Sequence, residues 1–170
     1  MTFEPRSWWV DDPERLELEK RDIASVAPDL VWVPENAGRF EGEIPIWPFT
    51  RPEPVELRDL VTTAGRVRVE YRQAFPAVPP TIICVDPEPA ITMRSFADYH
   101  VLPNGGLCLL RNADQWTLQS RTSELLLKAS GWRIEYALLN AGAIERMTLS
   151  GIVEDEQMDE LISTVARGAQ

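Results

Sequence analysis

The chain is poor in the residues that most often do chemistry. One histidine, two cysteines and two lysines (Lys20 and Lys128) stand among 170 residues, beside fifteen arginines. Two cysteines and one histidine at these spacings do not make a zinc site. No apolar run nears the ~20 residues a membrane span needs, so no membrane partner is expected. The first twelve residues hold Trp8 and Trp9 but no basic stretch leading into an apolar one, so no secretory signal is read. The expected compartment is the cytoplasm, where a Cys84–Cys108 disulfide would not persist. Basic excess is missing too. The net charge is −10 and the pI about 4.6, which argues against nucleic acid as the partner and suits a protein partner with basic patches. Neither an internal repeat nor a low-complexity linker divides the sequence, so residues 1–170 read as a single domain. Genome base composition can account for the scarce lysine.

What is present is ordinary globular patterning, 44% apolar and 26% charged. Asp12-Pro13-Glu14 predicts a helix start, with Asp as N-cap and Pro at the first helical position. Leu16, Ile23 and Val26 fall on one face, and the helix should end before Pro28. Residues 30–33 read as a short strand. Phe40, Gly42, Ile44 and Ile46 alternate with Glu41, Glu43 and Pro45, as one side of a sheet would. Val67, Val69 and Tyr71 alternate with arginines and Glu70, the clearest strand signal. Arg66, Arg68 and Arg72 read as its solvated face. Thr81 to Val85 reads as a fully buried strand, with Cys84 a small core residue. Residues 48–65 are Pro-interrupted and carry no assignment. Residues 86–119 are loop-like. Leu125, Ala129, Trp132, Tyr136 and Leu139 then recur at helical spacing over a broad apolar arc, which predicts a buried helix with Trp132 and Tyr136 in the core. Met158, Leu161, Ile162 and Val165 mark a last amphipathic helix closed by Gly168. The order implies an α+β fold, an antiparallel meander of about four strands packed on helices.

Inside the long loop lies the chemical signal. Cys108 sits in Gly105-Gly106-Leu107-Cys108-Leu109, eight residues after His100 and eight before Trp116. A thiol beside a Gly-Gly turn, with the only imidazole near it in sequence, is a candidate nucleophile. The glycines would leave room for an incoming chain. Asn104-Gly105 is also a turn signal in its own right. Trp116 is expected to pack under the loop. Asp98 and Asp114 are loop acids read as solvated charge.

These residues, in this order, resemble the ubiquitin-conjugating enzyme family. Phe75-Pro76-Ala77-Val78-Pro79-Pro80 is similar to its aromatic-Pro-x-x-Pro-Pro turn. Gly105 to Leu109 resembles its Gly-x-aliphatic-Cys-Leu stretch, and Trp116 stands at the family's distance beyond the cysteine. The opening Arg15 to Glu19 resembles its first helix. The likeness covers about residues 12–140. It departs at three places. His100 holds the distance at which the family has the Asn of His-Pro-Asn, while Pro103-Asn104 come later. The family's Trp-Ser-Pro-Ala is here Trp116-Thr117-Leu118-Gln119, so binding of a eukaryotic-type RING ligase is not implied. No acid-and-proline-rich stretch follows the long helix. This pattern is similar to bacterial conjugating-enzyme-like proteins of antiphage operons. Some of those accompany cGAS-like nucleotidyltransferases (CBASS). Others sit beside a ubiquitin-like protein, an activating enzyme and a peptidase.

The resemblance implies an acyltransferase of the ubiquitin-conjugating (UBC-like) fold. It would take a protein's C-terminal glycine as a thioester on Cys108 and pass it to a lysine amine. No cofactor or metal is implied. The carried protein would be the nucleotidyltransferase or the ubiquitin-like protein, with a separate activating enzyme possible. Candidate catalytic residues are Cys108, His100 and Asn104. Either His100 or Asn104 would donate to the developing oxyanion, or His100 would take the amine's proton. A non-catalytic UBC-like binding module and an unrelated Cys-His thiol hydrolase remain open at this point; the latter would need a third group to orient the histidine.

Overall fold

The computed structural model describes residues 6–149, 151–152 and 156–168. A single turn, α1 (Trp8–Asp11), leads into α2 (Pro13–Ala24). Asp12 caps α2 as its sequence predicts, its carboxylate accepting from the Arg15 N–H at 2.9 Å. Leu16 and Ile23 are buried on its inner face. Four strands follow: β1 (Val31–Val33), β2 (Arg39–Ile44), β3 (Gly65–Glu70) and β4 (Thr81–Asp86). They pair in chain order, every pair antiparallel. The fold class is therefore α+β with a four-stranded antiparallel meander. β2 stops at Ile44, where Pro45 can give no ladder donor; Ile46 packs instead in a second core.

Phe40, Ile44, Val67, Val69, Ile82 and Cys84 form the inner face of the sheet. Against them lies α4 (Thr122–Asn140), whose Leu125, Leu126, Ala129 and Trp132 share that core. An aromatic cluster seals one end: Phe75 lies 4.6 Å from Trp8 and 4.7 Å from Tyr71 between ring centroids. Two expectations need correction. β4 is not buried throughout, because Val85 is exposed and only Ile82 and Cys84 turn inward, as a sheet covered on one face requires. Tyr136 is half-buried, stacked on Trp132 at 5.0 Å near the edge of the helix's covered arc.

The unassigned stretch before β3 contains a short helix, α3 (Leu57–Leu60). Its Leu57, with Val61, packs on Ile134 and Leu138 of α4 and on Ile162 of α5 (Gln157–Gly168). This second core is separate from the sheet core, and α4 runs through both.

Polar groups between the helices set their register. Asp22 of α2 caps α4 from outside, accepting from Ser123 N–H at 2.9 Å and Ser123 Oγ at 2.7 Å. Glu19 is buried beside it and accepts from Tyr71 Oη (2.9 Å) and Thr122 Oγ1 (2.6 Å). Burial pushes the Glu19 carboxyl above its usual range, against the opposing pull of those two hydroxyls and of Arg15. Among the described residues no helix is long and apolar enough to cross a membrane.

Candidate active site

After β4 the chain makes two 3₁₀ turns, Ile91–Ser95 and Ala97–Tyr99. It then forms a tight hairpin on the free edge of the sheet. Gly106 bridges to Ile83 of β4, and the Leu107 N–H donates to Ile82 O at 2.8 Å. Within the hairpin Val101 pairs with Leu107. Both side chains point into the core. Alternation then turns Cys108 outward, and it is exposed. One residue beyond the bridge, the Cys108 N–H donates to His100 O at 2.8 Å. The cysteine and the histidine therefore face each other across the open end of the hairpin.

His100 has a left-handed backbone, φ 52° and ψ 39°. For a non-glycine residue this costs about 1–2 kcal/mol, a strain kept only where the surroundings fix it. Its ring is half-buried, and Nε2 lies 2.9 Å from the carbonyl oxygen of Thr148. Thr148 is held in turn by Glu135 of α4: its N–H and Oγ1 both donate to Oε1, at 3.0 and 2.6 Å. The Met147 N–H donates to Asp98 O at 3.0 Å, so the segment after α4 also clasps the turn before His100.

Asn104 lies at the other end of the hairpin. Its Oδ1 accepts from the Gly106 N–H at 3.0 Å and closes the turn. Gly106 and Cys108 are separated by roughly 7 Å of strand, at about 3.3 Å per residue, so it is the His100 backbone, not Asn104, that pairs with Cys108. The glycines do not leave room for an incoming chain. Both are buried, and a β-carbon on Gly106 would lie 2.6 Å from Thr81 Cγ2. Gly105 takes φ +86° in the turn.

Around the thiol, Cys108 Sγ lies 3.7 Å from Leu110 O, and Lys128 Nζ of α4 donates to Leu109 O at 3.1 Å. Trp116 packs under the loop as expected, its indole N–H donating to Pro76 O at 2.9 Å. Asp98 and Asp114 are exposed. Cys84 is a contrast to Cys108: it is buried in the sheet core, and burial pushes its thiol up to about 12. A shallow concavity of about 460 Å³ lies along α2, lined by Pro13, Glu14, Glu17, Leu18 and Arg21, away from the hairpin.

Three residues at the site carry no motif: Thr81, Glu135 and Thr148. Glu135 alone left a trace in the sequence. It is an acid three residues after Trp132, on the arc where α4 is otherwise apolar. The arrangement is an exposed thiol on the sheet edge, with the backbone of His100 paired to that of Cys108 and the imidazole held at Thr148 O. No protein-family model matches the chain, and no curated protein matches it.

Proposed function

We propose that the protein is an acyltransferase of the ubiquitin-conjugating type, with Cys108 as the residue that carries the acyl group. On this reading the four-stranded meander, α2 and α4 are the frame of a UBC-like fold. The chain would receive the C-terminal glycine of a protein partner as a thioester and pass it to a lysine. In the bacterial antiphage setting that its sequence resembles, the carried protein would be a cGAS-like nucleotidyltransferase or a ubiquitin-like protein, charged by a separate activating enzyme.

One observation carries the reading. The thiol is exposed on a sheet edge, and its residue's backbone is paired with that of the only histidine in the sequence. Small-molecule sites are concave and bury most of their ligand. A thiol displayed on an edge suits a chain terminus laid along the surface. A purely binding role would leave that display without a use.

Intact mass spectrometry tests the proposal, with the protein mixed with a glycine-terminated partner, its activating enzyme and ATP. The expected product is a covalent adduct of both chains less one water, cleaved by added thiol. Cys108→Ser should give no adduct, or an oxyester that resists thiol. A thiol-sensitive adduct that persists in Cys108→Ser would move the site to Cys84 and end the reading.

A further inference from the structure

We infer that Glu135 and Thr148 are positioning residues for His100, and that they hold its ring as a proton acceptor at Nδ1 for the amine that attacks the Cys108 acyl group. The inference rests on the acyl-transfer reading of Cys108 and says which of the two open roles His100 takes.

The argument starts from a hydrogen bond that has only one direction. A backbone carbonyl accepts and never donates. The 2.9 Å contact from His100 Nε2 to Thr148 O therefore places the hydrogen on Nε2. A neutral imidazole has one N–H, so Nδ1 keeps its lone pair. Such a ring has no donor left for a carbonyl oxygen, and the base role remains.

The tether is built rather than incidental. Thr148 is fixed by two bonds to a single oxygen of Glu135, and its neighbour Met147 is fixed by the backbone of Asp98 and a buried side chain. Glu135 is only 2% exposed. A buried carboxyl group is costly unless its hydrogen bonds are made, and two of them go to the residue that holds the imidazole. From the other side, the Cys108 N–H holds the His100 carbonyl. Ring and backbone are thus fixed independently, on a left-handed residue.

The step balances as follows. The amine nitrogen attacks the thioester carbon, a C–N bond forms and the carbonyl electron pair moves to oxygen. Nδ1 takes the proton from that nitrogen. The pair returns, the C–S bond breaks, and Cys108 leaves as thiolate. The imidazolium then returns the proton from Nδ1 to Sγ. Amine and thioester become amide and thiol.

Two measurements test this. The first is ¹⁵N NMR of the imidazole, which is unambiguous because the chain has one histidine. The expected neutral ring carries its hydrogen on Nε2, with slow exchange against water, and Thr148→Val speeds that exchange. A hydrogen on Nδ1, or an unprotected N–H in the wild type, would overturn the tether. The second is single-turnover discharge. Cys108 is loaded chemically with a glycylglycine 2-mercaptoethanesulfonate thioester, and free lysine is the acceptor. His100→Gly keeps the left-handed backbone without strain. It should discharge about 10²–10⁴-fold more slowly and recover in proportion to added neutral imidazole. Thr148→Val should load fully and discharge about 5–10-fold more slowly, the effect of one lost hydrogen bond. Wild-type discharge in His100→Gly, or a slow discharge that imidazole does not lift, refutes the base. Failure of the wild type to load Cys108 would remove the acyl-transfer reading and the base with it, while a protected Nε2–H would still establish the tether.

Discussion

Gly106→Ala probes how firmly the hairpin is seated on β4. An ideal β-carbon there lies 2.6 Å from Thr81 Cγ2, 3.1 Å from Asn104 Oδ1 and 3.7 Å from Leu102 Cδ1. Carbon atoms in good contact sit about 3.5–4.0 Å apart, so the methyl overlaps Thr81 by roughly 1 Å. Thr81 is β-branched and stiff at χ1, and its strand is pinned through Glu70 of β3. Overpacking of this kind costs about 1–3 kcal/mol. Gly→Ala also restricts the unfolded chain, which stabilises by about 0.4–1 kcal/mol where the backbone is compatible. The substitution alone should therefore destabilise by up to about 2.6 kcal/mol. Thr81→Ser removes the obstructing methyl, at a cost of under about 1 kcal/mol. In that background Gly106→Ala should be neutral or stabilising. Urea unfolding of the four proteins reads the coupling directly, about 1–3 kcal/mol. Loading of Cys108 should fall in Gly106→Ala and return in the double variant, because the same clash lifts the strand that ends at the thiol. Additive effects within ~0.3 kcal/mol would show that Gly106 does not seat the hairpin against Thr81.

Brief iodoacetamide treatment of the native protein at pH 8 should add one label, at Cys108. Burial pushes the Cys84 thiol up to about 12, so little of it is the reactive thiolate at that pH; comparable labelling of Cys84 in peptide maps would contradict its burial. Glu19→Gln keeps an acceptor for Tyr71 and Thr122 but cannot ionise. Because burial raises the native Glu19 carboxyl, its share of stability is present below the ordinary glutamate range and is lost as pH rises through the raised value. The variant should therefore gain on the wild type from about pH 4.5 upward in urea titrations, and a pH-independent difference would refute the account. Asp22→Ala should cost about 1 kcal/mol, within a range of roughly 0.5–2, since Asp22 caps α4 through Ser123; an unchanged urea midpoint would show the cap to be idle.

The elements legible in the sequence are those whose signal is local. Asp12-Pro13 sets the start of α2, and the alternation of Val67 and Val69 sets β3. Cys108 beside its glycines was legible as a displayed thiol, and Asn104 as a turn former. What was not legible depends on partners far apart in the chain. Nothing near His100 announces Thr148, 48 residues away. Gly106 read as space for a ligand because Thr81, which fills that space, lies on another strand. α3 was hidden because its four residues make sense only against α4 and α5. Val85 reads as apolar and buried, yet a sheet with helices on one face leaves its outward positions in water whatever their side chains.

Two cores strung along one helix are the kind of arrangement from which separate local openings arise. Met147 belongs to the sheet core and Ile152 to the one built on α3 and α5. Thr148 follows Met147 directly in the chain. An opening confined to the smaller core would free α3 and α5, while Thr148 kept its bonds to Glu135 and the hairpin beneath Cys108 stayed bonded to β4. The thiol and the ring's anchor thus rest on different turns of α4: Lys128 holds Leu109 O beside the thiol, and Glu135 holds Thr148.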